Sequence, residues 1–344
     1  MRFRPPKKAF ILAAGFGTRM RPLSRDLPKP LMPLWGRPVL EHLLRLLRDW
    51  GVRDVLLNLH HQAGELVRFA TRGPVPPLRL NLSFEPEILG TGGALRRAAW
   101  FLDDEPFWLI NADIAADLDP SPLLRAFARP NTLAALWLHP TLGPRTVVAK
   151  RGRVTGFRAP HPGAAHTYTF CGLHLLAPRI LEYLPREGFA GIVPAYERAL
   201  KRGERIAGVC VAEGFWADLG TPRQYLEAHA QILERARRRQ PGWRLFDPAM
   251  LARVREAKRA GARIEGFAAL GRDVCLAAGA RLKDSVVWDG ARLGPRARLA
   301  GAVVGRGARV DEAVPGVAGR GDLVLDGEEQ KLLTEYRWRP DQAT

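Results

Sequence analysis

The first two thirds of the chain alternate between unbroken apolar runs and stripes of apolar residues at helical spacing. Residues 9–14 form a continuous apolar run, which is typical of a buried parallel strand. Residues 39–50 carry apolar side chains every three or four positions, which predicts a helix that ends at Gly51. Further strands are predicted at 52–59, 78–84, 106–111, 133–138, 146–149 and 168–176, and further helices at 93–102, 192–202 and 222–238. Strands that alternate with helices predict an α/β domain with a mainly parallel sheet.

The pattern changes after a polar, basic stretch at 239–261, which predicts a linker with some helical content. Beyond it, large apolar residues recur at six-residue steps, with a five-residue step where the register resumes. These positions are Ile264, Leu270, Leu276, Leu282, Val287, Leu293, Leu299, Val304 and Val310. A hexapeptide repeat of this kind is typical of a β-helix in which three hexads form one coil, so about three coils are predicted. A set of ordinary antiparallel strands is the alternative.

These patterns divide the chain into an α/β domain at 1–238, the linker at 239–261, a β-helix at 262–318 and a charged, peripheral tail at 319–344. No apolar run approaches the length of a membrane-spanning helix, so no membrane partner is expected. The apolar stretch near Met1 is short and runs into a glycine turn, which favours a buried strand over a signal peptide. A cytoplasmic location is therefore expected, and three scattered cysteines predict neither a disulfide framework nor a zinc site.

The chain is strongly basic, with 53 Lys and Arg residues against 35 Asp and Glu residues and a net charge of +18. Such a charge invites a nucleic-acid interpretation. The arginines are spread along the whole chain, however, and no DNA- or RNA-binding motif accompanies them. We therefore expect no nucleic-acid partner, whereas small anionic substrates such as phosphates remain compatible with the charge.

The sharpest motif follows the first predicted strand. It reads GFGTRMRPL at 15–23 and continues as LPKP at 27–30. Glycines let backbone N–H groups approach phosphate oxygens, and Arg19 and Lys29 add cationic donors. The spacing is not that of a P-loop, and Met20 stands where the dinucleotide fingerprint requires its third glycine. The combined pattern is far more specific than a glycine turn alone.

This pattern resembles the sugar-1-phosphate nucleotidyltransferases, also called NDP-sugar pyrophosphorylases, over roughly residues 8–235. The resemblance implies a Rossmann-like nucleotidyltransferase domain. In the mannose-1-phosphate guanylyltransferase-like members, a left-handed β-helix of hexapeptide repeats occupies the same place as the repeat found here.

Three further segments match family landmarks. The segment EPEILGTGGA at 85–94 looks like the base-recognition segment, in which Glu85 reads the base edge and Gly90 lies beside it. The strand end INAD at 110–113 resembles one Mg²⁺ site, and FWADLGTP at 215–222 resembles a second. Alone, Asp113 would suit a turn or a helix cap. With the whole set present, Asp113 and Asp218 are expected to bind the metal.

By this resemblance, the expected site comprises three groups of residues. The nucleotide would contact Leu12, Ala13, Ala14, Gly15, Gly17, Thr18, Glu85, Gly90 and Thr91. The sugar would contact Asn111, Phe170 and Gly172, and the catalytic cations would be Arg19 and Lys29.

The resemblance implies a single in-line displacement at the α-phosphorus of a nucleoside triphosphate by a sugar-1-phosphate oxygen, with pyrophosphate as the leaving group. Two polyanions must meet, so the chemistry demands charge stabilisation rather than a covalent protein intermediate. Arg19 would hold the departing phosphates and Lys29 the sugar phosphate and α-phosphate. The prolines on either side of Lys29 restrict the backbone and help to fix its position.

The sugar pocket departs from the usual family pattern. Residues 157–160 read FRAP where many members have Phe-x-Glu-Lys-Pro, and Phe170 replaces an amide. The runs TFCG at 169–172 and TGG at 91–93 look similar to the N-acetylmuramate-1-phosphate uridylyltransferases, which usually lack the β-helix. The α/β domain therefore indicates UTP with N-acetylmuramate-1-phosphate, whereas the repeat indicates GTP with mannose-1-phosphate.

Two alternatives share the same fold. A non-catalytic NDP-sugar-binding regulatory subunit is disfavoured because Arg19, Lys29, Asp113 and Asp218 are all retained. A bifunctional enzyme whose β-helix transfers acyl groups is disfavoured because residues 262–318 contain no histidine. The β-helix is instead expected to pack against a second subunit, which predicts a homo-oligomer.

Overall fold

A computed structural model of the chain describes residues 4–211 and 213–318. The strands are β1 Lys8–Leu12, β2 Pro33–Leu34, β3 Arg37–Pro38, β4 Asp54–Leu59, β5 Arg79–Phe84, β6 Phe107–Asn111, β7 Ile114–Asp117, β8 Thr132–His139, β9 Val147–Lys150, β10 Arg153–Gly156, β11 Thr167–Leu176, β12 Arg205–Cys210, β13 Phe215–Asp218, β14 Arg263–Leu270, β15 Cys275–Leu276, β16 Arg281–Val287, β17 Arg292–Leu293, β18 Arg298–Val304, β19 Arg309–Val310 and β20 Ala313–Ala318. The α-helices are α1 Leu23–Asp26, α2 Val39–Asp49, α3 Ala63–Thr71, α4 Gly90–Arg97, α5 Ser121–Phe127, α6 Ile192–Lys201, α7 Pro222–Arg238 and α8 Ala249–Arg259. Short 3₁₀ segments occupy Thr18–Met20, Lys29–Leu31, Pro178–Tyr183 and Trp243–Leu245.

The chain forms two compact units, of which the first comprises residues 1–15 and 40–216. A nine-stranded sheet with the order β5-β4-β1-β6-β11-β8-β12-β10-β9 lies at its centre. The apolar run predicted as a buried strand is β1, whose residues Ala9, Phe10 and Ile11 are fully buried. Strands β5, β4, β1 and β6 run parallel, so their carboxyl ends share one edge of the sheet.

The sheet as a whole is mixed, which corrects the expectation of a mainly parallel sheet. Strand β11 runs antiparallel to β6, β8 and β9, and β10 runs antiparallel to β9 and β12. Strands β9 and β10 are joined by only Arg151 and Gly152, both with positive φ, which is a hairpin turn. A connection this short cannot cross over the sheet, so the two strands must pair antiparallel.

The helices with complete apolar periodicity lie where the sequence predicts them. The structure places α2 at 39–49, α6 at 192–201 and α7 at 222–238, against predictions of 39–50, 192–202 and 222–238. The helix predicted at 93–102 begins three residues earlier and ends at Arg97, because the amide groups of its first turn bond to a distant carbonyl group. The hydrophobic pattern does not predict helices α1, α3 and α5 or strands β2, β3, β7, β10, β12 and β13.

The second unit comprises residues 16–39 and 217–344, and it contains the hexapeptide repeat. Strands β14, β16, β18 and β20 form one parallel sheet, and β15, β17 and β19 form another. In the first sheet, Ile264, Leu282 and Leu299 lie in register on successive strands. The small residues between the repeat positions, Ala268, Ala280, Ala297 and Ala308, are buried in the same core. This parallel stacking is compatible with the predicted β-helix, whose closure and left-handed sense stay predictions.

The segment predicted as a linker, 239–261, contains the 3₁₀ segment Trp243–Leu245 and helix α8. The predicted tail at 319–344 lies outside the described residues. None of the described helices is long and apolar enough to cross a membrane. Cys171, Cys210 and Cys275 are free thiols, as their spacing in the sequence predicts.

Candidate active site

The glycine-rich motif folds back on itself in the second unit. Ser24 Oγ donates a hydrogen bond of 2.8 Å to the carbonyl oxygen of Gly17, which precedes the 3₁₀ turn Thr18–Met20. A Cβ atom added at Gly17 would lie 3.5 Å from the Cβ of Lys29. The motif therefore brings the predicted phosphate-binding turn close to Lys29. This lysine follows Arg19 by ten residues in the sequence.

Lys29 occupies a constrained and largely buried position. It begins the 3₁₀ segment Lys29–Leu31, between Pro28 and Pro30, and it is 9% exposed. Proline fixes its own φ and restricts the residue before it, so the backbone of Lys29 has little freedom. A preorganised cation of this kind is suited to a phosphate group that arrives already charged.

Arg19 and Asp218 lie on either side of Gly220. A Cβ atom added at Gly220 would lie 3.2 Å from Arg19 Nη2 and 3.2 Å from Asp218 Oδ1. The two side chains nevertheless form no ion pair with each other. Any larger residue at position 220 would crowd this guanidinium and this carboxylate, so glycine lets both side chains approach the same point of the backbone.

The start of helix α7 holds Asp218 in place. Thr221 caps the helix and accepts a hydrogen bond from the Gln224 backbone N–H at 3.3 Å. The Gln224 side chain then donates from Nε2 to Asp218 Oδ2 at 3.2 Å. This single contact leaves most of the lone pairs of the carboxylate available for a cation.

Arg19 has no such support among the described residues, since its guanidinium is exposed and makes no hydrogen bond or ion pair with them. A guanidinium group presents five N–H donors in a planar fork that matches phosphate oxygens. The arrangement can therefore bind an anion beside a carboxylate that can bind a cation.

In the first unit, a buried hydrogen-bond network surrounds Glu85. The carboxylate accepts from Asn58 Nδ2 at 2.8 Å on Oε1 and from the Leu89 backbone N–H at 3.0 Å on Oε2. Asn58 Oδ1 in turn accepts from the Ala13 backbone N–H at 2.7 Å. His60 Nδ1 lies 2.8 Å from the carbonyl oxygen of Glu85. The network joins the ends of β1, β4 and β5 to the start of α4.

Glu85 is fully buried and its carboxylate is held by protein donors. Its two donors are the side-chain amide of Asn58 and the backbone N–H of Leu89, the residue before helix α4. The network fixes Ala13, one of the residues expected to contact the nucleotide, and Leu89, which directly precedes Gly90. Direct contact between Glu85 and the base stays a prediction.

The first turn of α4 also bonds to a segment that is distant in sequence. The backbone N–H of Gly92 donates to the carbonyl oxygen of Ala190 at 2.7 Å, and Ala190 N–H donates to Leu89 O at 2.9 Å. The chain at 188–191 therefore lies directly against Gly90 and Gly92. Beside it, the ring of Phe189 is 73% exposed.

Two of the three expected sugar-binding residues are brought together. Gly172 has φ +76°, and a Cβ atom there would lie 3.0 Å from Asn111 Nδ2. The register of β11 against β8 shifts between Phe170 and His174, around this glycine. The ring of Phe170 packs against the His174 ring in a tilted arrangement, with a centroid distance of 4.3 Å and an interplanar angle of 57°.

His174 and Tyr196 form a buried pair beneath this strand. His174 Nδ1 lies 2.6 Å from the Tyr196 hydroxyl oxygen. Burial lowers the pKa of His174 to about 3, because the charged imidazolium is poorly solvated there. The imidazole is therefore neutral at physiological pH and contributes packing rather than charge.

The expected metal ligands belong to different units, Asp113 to the first and Asp218 to the second. Their pairing stays a prediction. Within 4–211 and 213–318, no cluster of three or more His, Cys, Asp or Glu side chains could hold a metal by itself. This donor set fits Mg²⁺, which proteins commonly hold through one or two carboxylates while substrate phosphates and water complete the coordination.

Two supporting residues were not singled out from the sequence. Asn58 is the one polar residue in the apolar run VLLNL at 55–59, a signal that was available. Gln224 follows a Thr-Pro helix start, which marks a cap but gives no indication of a contact with Asp218. The segment at 188–191 carries no motif, and only the fold places it beside α4.

A sequence profile described as Nucleotidyl transferase matches residues 8–235. The chain belongs to this nucleotidyl transferase family. Mannose-1-phosphate guanylyltransferase catalytic subunit beta from Xenopus tropicalis is 26% identical over 255 residues, which cover 72% of this chain and 70% of that protein. N-acetylmuramate alpha-1-phosphate uridylyltransferase from Caulobacter vibrioides is 30% identical over 247 residues, which cover 67% of this chain and 98% of that protein. The family resemblance carried by the sequence motifs is confirmed.

Solved structures show a similar fold. UDP-glucose pyrophosphorylase from Acinetobacter baumanii matches with a TM-score of 0.58 at 19% identity, covering 65% of this chain and 92% of that chain. HddC from Yersinia pseudotuberculosis matches with a TM-score of 0.56 at 23% identity, covering 66% of this chain and 99% of that chain. These likenesses confirm the mixed α/β nucleotidyltransferase fold.

Proposed function

We propose that this nucleotidyltransferase joins a nucleoside triphosphate to a sugar-1-phosphate, with Mg²⁺ as its cofactor. An oxygen of the sugar phosphate attacks the α-phosphorus and forms the new P–O bond. The bond from the α-phosphorus to the bridging oxygen of the β-phosphate breaks, and pyrophosphate leaves with that electron pair. The products are an NDP-sugar and pyrophosphate.

The observation that carries the proposal is the close approach of Arg19 and Asp218 to the same glycine, Gly220. Both side chains lie within 3.2 Å of the position that a Cβ atom would take there. The exposed guanidinium of Arg19 would hold the departing phosphates, and the anchored carboxylate of Asp218 would face the metal. Lys29, fixed between two prolines, would hold the attacking sugar phosphate and the α-phosphate.

The residues that would hold Mg²⁺ are Asp113 and Asp218. When bound, the ion neutralises the charge that accumulates as two polyanions approach. The protein's own contribution is to fix the carboxylate of Asp218 through Gln224 and to place the Arg19 guanidinium near it, beside Gly220.

UTP with N-acetylmuramate-1-phosphate is the first candidate pair of substrates. The Caulobacter uridylyltransferase is matched along 98% of its length at 30% identity. The TFCG and TGG runs also resemble that subfamily. A carboxylate such as Glu85 is an acceptor, which suits the N3–H donor of uracil.

GTP with mannose-1-phosphate is the second candidate pair. The Xenopus guanylyltransferase subunit covers a larger share of this chain, 72%, and its subfamily carries a β-helix in the same place as the repeat at 262–318. Guanine also offers N–H donors to a carboxylate, so Glu85 does not separate the two pairs of substrates.

The β-helix is also proposed to form the contact between subunits of a homo-oligomer.

The decisive experiment measures pyrophosphate release across a grid of four nucleoside triphosphates and a panel of sugar-1-phosphates. The panel includes mannose-, glucose-, N-acetylglucosamine- and N-acetylmuramate-1-phosphate, each with Mg²⁺ and with EDTA. We expect one pair to dominate and EDTA to abolish turnover. Folded protein that binds an NDP-sugar but turns over no pair would favour the regulatory alternative and overturn the catalytic proposal.

A further inference from the structure

The parallel sheet of the second unit carries a column of arginines that none of the expected catalytic roles uses. Arg263, Arg281 and Arg298 lie in register on β14, β16 and β18. Adjacent strands in a sheet are about 4.8 Å apart, so the outer two are separated by roughly 10 Å. Like charges directly opposite each other on neighbouring strands are destabilising.

The column is not neutralised by the protein. Other arginines of the repeat domain pair with carboxylates, namely Arg272 with Asp289, Arg296 with Glu312 and Arg309 with Asp311. Within the described part of the chain, Arg263, Arg281 and Arg298 form no ion pair. Arg292 of the same region also forms no ion pair with described residues, so what distinguishes the column is that its three unpaired arginines lie in register and line one groove.

The column lines a groove with a volume of about 510 Å³. Lys283 and Glu265 also line it, and they lie in register with each other, so their charges offset. Leu282, Leu299 and Ala300 contribute apolar surface. The three arginines therefore remain as an uncompensated positive charge along one side of a defined cavity.

Arg298 is fixed before any ligand arrives. Its Nη1 atom donates to the carbonyl oxygens of Gly279, Pro295 and Ala297 at distances of 3.1, 3.2 and 2.9 Å. Its remaining N–H groups have no partner among the described residues. An oriented guanidinium loses less conformational entropy when it binds an anion than a freely rotating one.

We propose that this groove binds a small anion that carries two or more phosphate groups, at a site separate from the proposed catalytic residues. Guanidinium groups bind phosphates through paired N–H···O bonds. A single phosphate group cannot reach three arginines whose strands span roughly 10 Å. A chain of phosphates can contact at least two of these arginines. Such an anion would also relieve the repulsion between the stacked arginines.

The test uses inorganic tripolyphosphate as the probe and the full chain carrying Arg19→Ala, which weakens binding at the proposed catalytic site. Isothermal titration calorimetry at about 0.15 M salt measures the Kd for tripolyphosphate. It compares the Arg19→Ala protein with two double variants that add Arg281→Glu or Arg292→Glu. Both changes alter the net charge equally at exposed positions of the same domain, but Arg292 lies outside the groove. We expect Arg281→Glu to raise the Kd at least tenfold and Arg292→Glu to raise it less than twofold.

A site-specific readout accompanies the titration. Reaction with phenylglyoxal, followed by peptide mass spectrometry, should show that tripolyphosphate protects Arg281 and not Arg292. If Arg281→Glu lowers the thermal unfolding temperature, Arg281→Gln replaces it. This variant should also raise the Kd for tripolyphosphate.

Three results would overturn the proposal. Equal weakening by both variants would mean that the probe senses only general charge. Absence of saturable binding to the starting protein would mean that no site exists. A change in molecular mass on Arg281→Glu, without a change in probe affinity, would mean that a second copy of the chain covers the groove.

Discussion

The surroundings of Glu85 and of Arg19 differ in how far the protein satisfies its own charged groups. Glu85 is buried, and both of its oxygens accept hydrogen bonds from the protein. Arg19 is exposed, and no described residue pairs with it. Burying a charge without partners is costly, whereas water solvates an exposed cation that has no partner in the protein. The first region is therefore built to hold a shape, and the second to bind a charge that the substrate brings.

Removing Arg19 should give the largest effect on activity. Arg19→Ala deletes a donor expected to meet the leaving phosphates, so kcat/KM for pyrophosphate release should fall about 100- to 1,000-fold. Because the exposed side chain makes no hydrogen bond or ion pair with described residues, the free energy of unfolding should hardly change. Steady-state kinetics and urea unfolding of the same preparation measure both quantities.

Arg223→Ala is the matched control for Arg19→Ala. Arg223 is exposed and pairs with Glu227 one helical turn away, an interaction expected to contribute about 0.5 kcal/mol or less. Its removal should leave activity near the wild-type value. A similar rate loss in both variants would show that Arg19 acts only through the general positive charge.

Asn58→Ala should reverse the pattern, with a large effect on stability. It leaves the Ala13 N–H and the Oε1 atom of Glu85 each without its buried partner, for a loss of about 3 kcal/mol in the free energy of unfolding. The KM for the nucleoside triphosphate should rise as well, since the end of β1 is no longer tied. Asn81→Ala on β5 is the control, because Asn81 is only partly buried and has no such contacts.

Asn58→Asp sharpens the same comparison. Aspartate can still accept from Ala13, but it sets a second carboxylate against Glu85, which is unfavourable in a buried site. We expect it to be at least as destabilising as Asn58→Ala at pH 7. Stability equal to the wild type would mean that the Asn58–Glu85 hydrogen bond does not hold this region together.

The sequence predicts best the features that repeat along it. Strand β1, helix α7 and the core of the repeat region each follow a local period that reflects which face is buried. The Gly220 site is partly foreseen, because the motifs name Arg19 and Asp218. Their approach joins positions about 200 residues apart, which no local pattern encodes.

The Asn58–Glu85 network and the contact of Ala190 with Gly92 show the same limit. Each joins a strand end or loop to a helix start that another part of the chain positions. Their side chains and carbonyl groups are ordinary, and only the assembled sheet brings them within hydrogen-bond distance. Family resemblance names residues that touch substrate, whereas it does not name those that hold such residues in place.

The buried pair of His174 and Tyr196 extends the contrast to pH. The folded-state pKa of His174 is lowered to about 3, against about 6.5 in the unfolded chain. Between these values the unfolded state binds more protons, so the free energy of unfolding falls as pH decreases. At pH 5 this group should cost about 2 kcal/mol relative to pH 8, at roughly 1.4 kcal/mol per pH unit.

His174→Gln removes that titration and keeps a hydrogen-bonding side chain beside Tyr196. The difference in unfolding free energy between pH 8 and pH 5 should therefore be about 2 kcal/mol smaller than in the wild type. Urea unfolding at both pH values measures it. Parallel pH dependence in the two proteins would show that His174 becomes protonated without unfolding.

Gly220→Ala should have the smallest effect on activity. It tests whether the reacting phosphates bind between Arg19 and Asp218. The added Cβ atom would lie 2.9 Å from Gln224 Oε1 and 3.2 Å from both Arg19 Nη2 and Asp218 Oδ1. All three are ends of side chains that can shift, and Gly220 is not among the glycines with positive φ. The fold should therefore tolerate alanine, whereas kcat should fall about tenfold, equivalent to about 1.4 kcal/mol.

Gly156→Ala provides the comparison for this effect. Gly156 also lacks a positive φ, and a Cβ atom there would meet nothing within 4 Å. Both substitutions reduce the freedom of the unfolded chain similarly, so their unfolding free energies should change alike. Only Gly220→Ala should slow turnover. If the two enzymes are equally active, the space between Arg19 and Asp218 is not where the reacting phosphates bind.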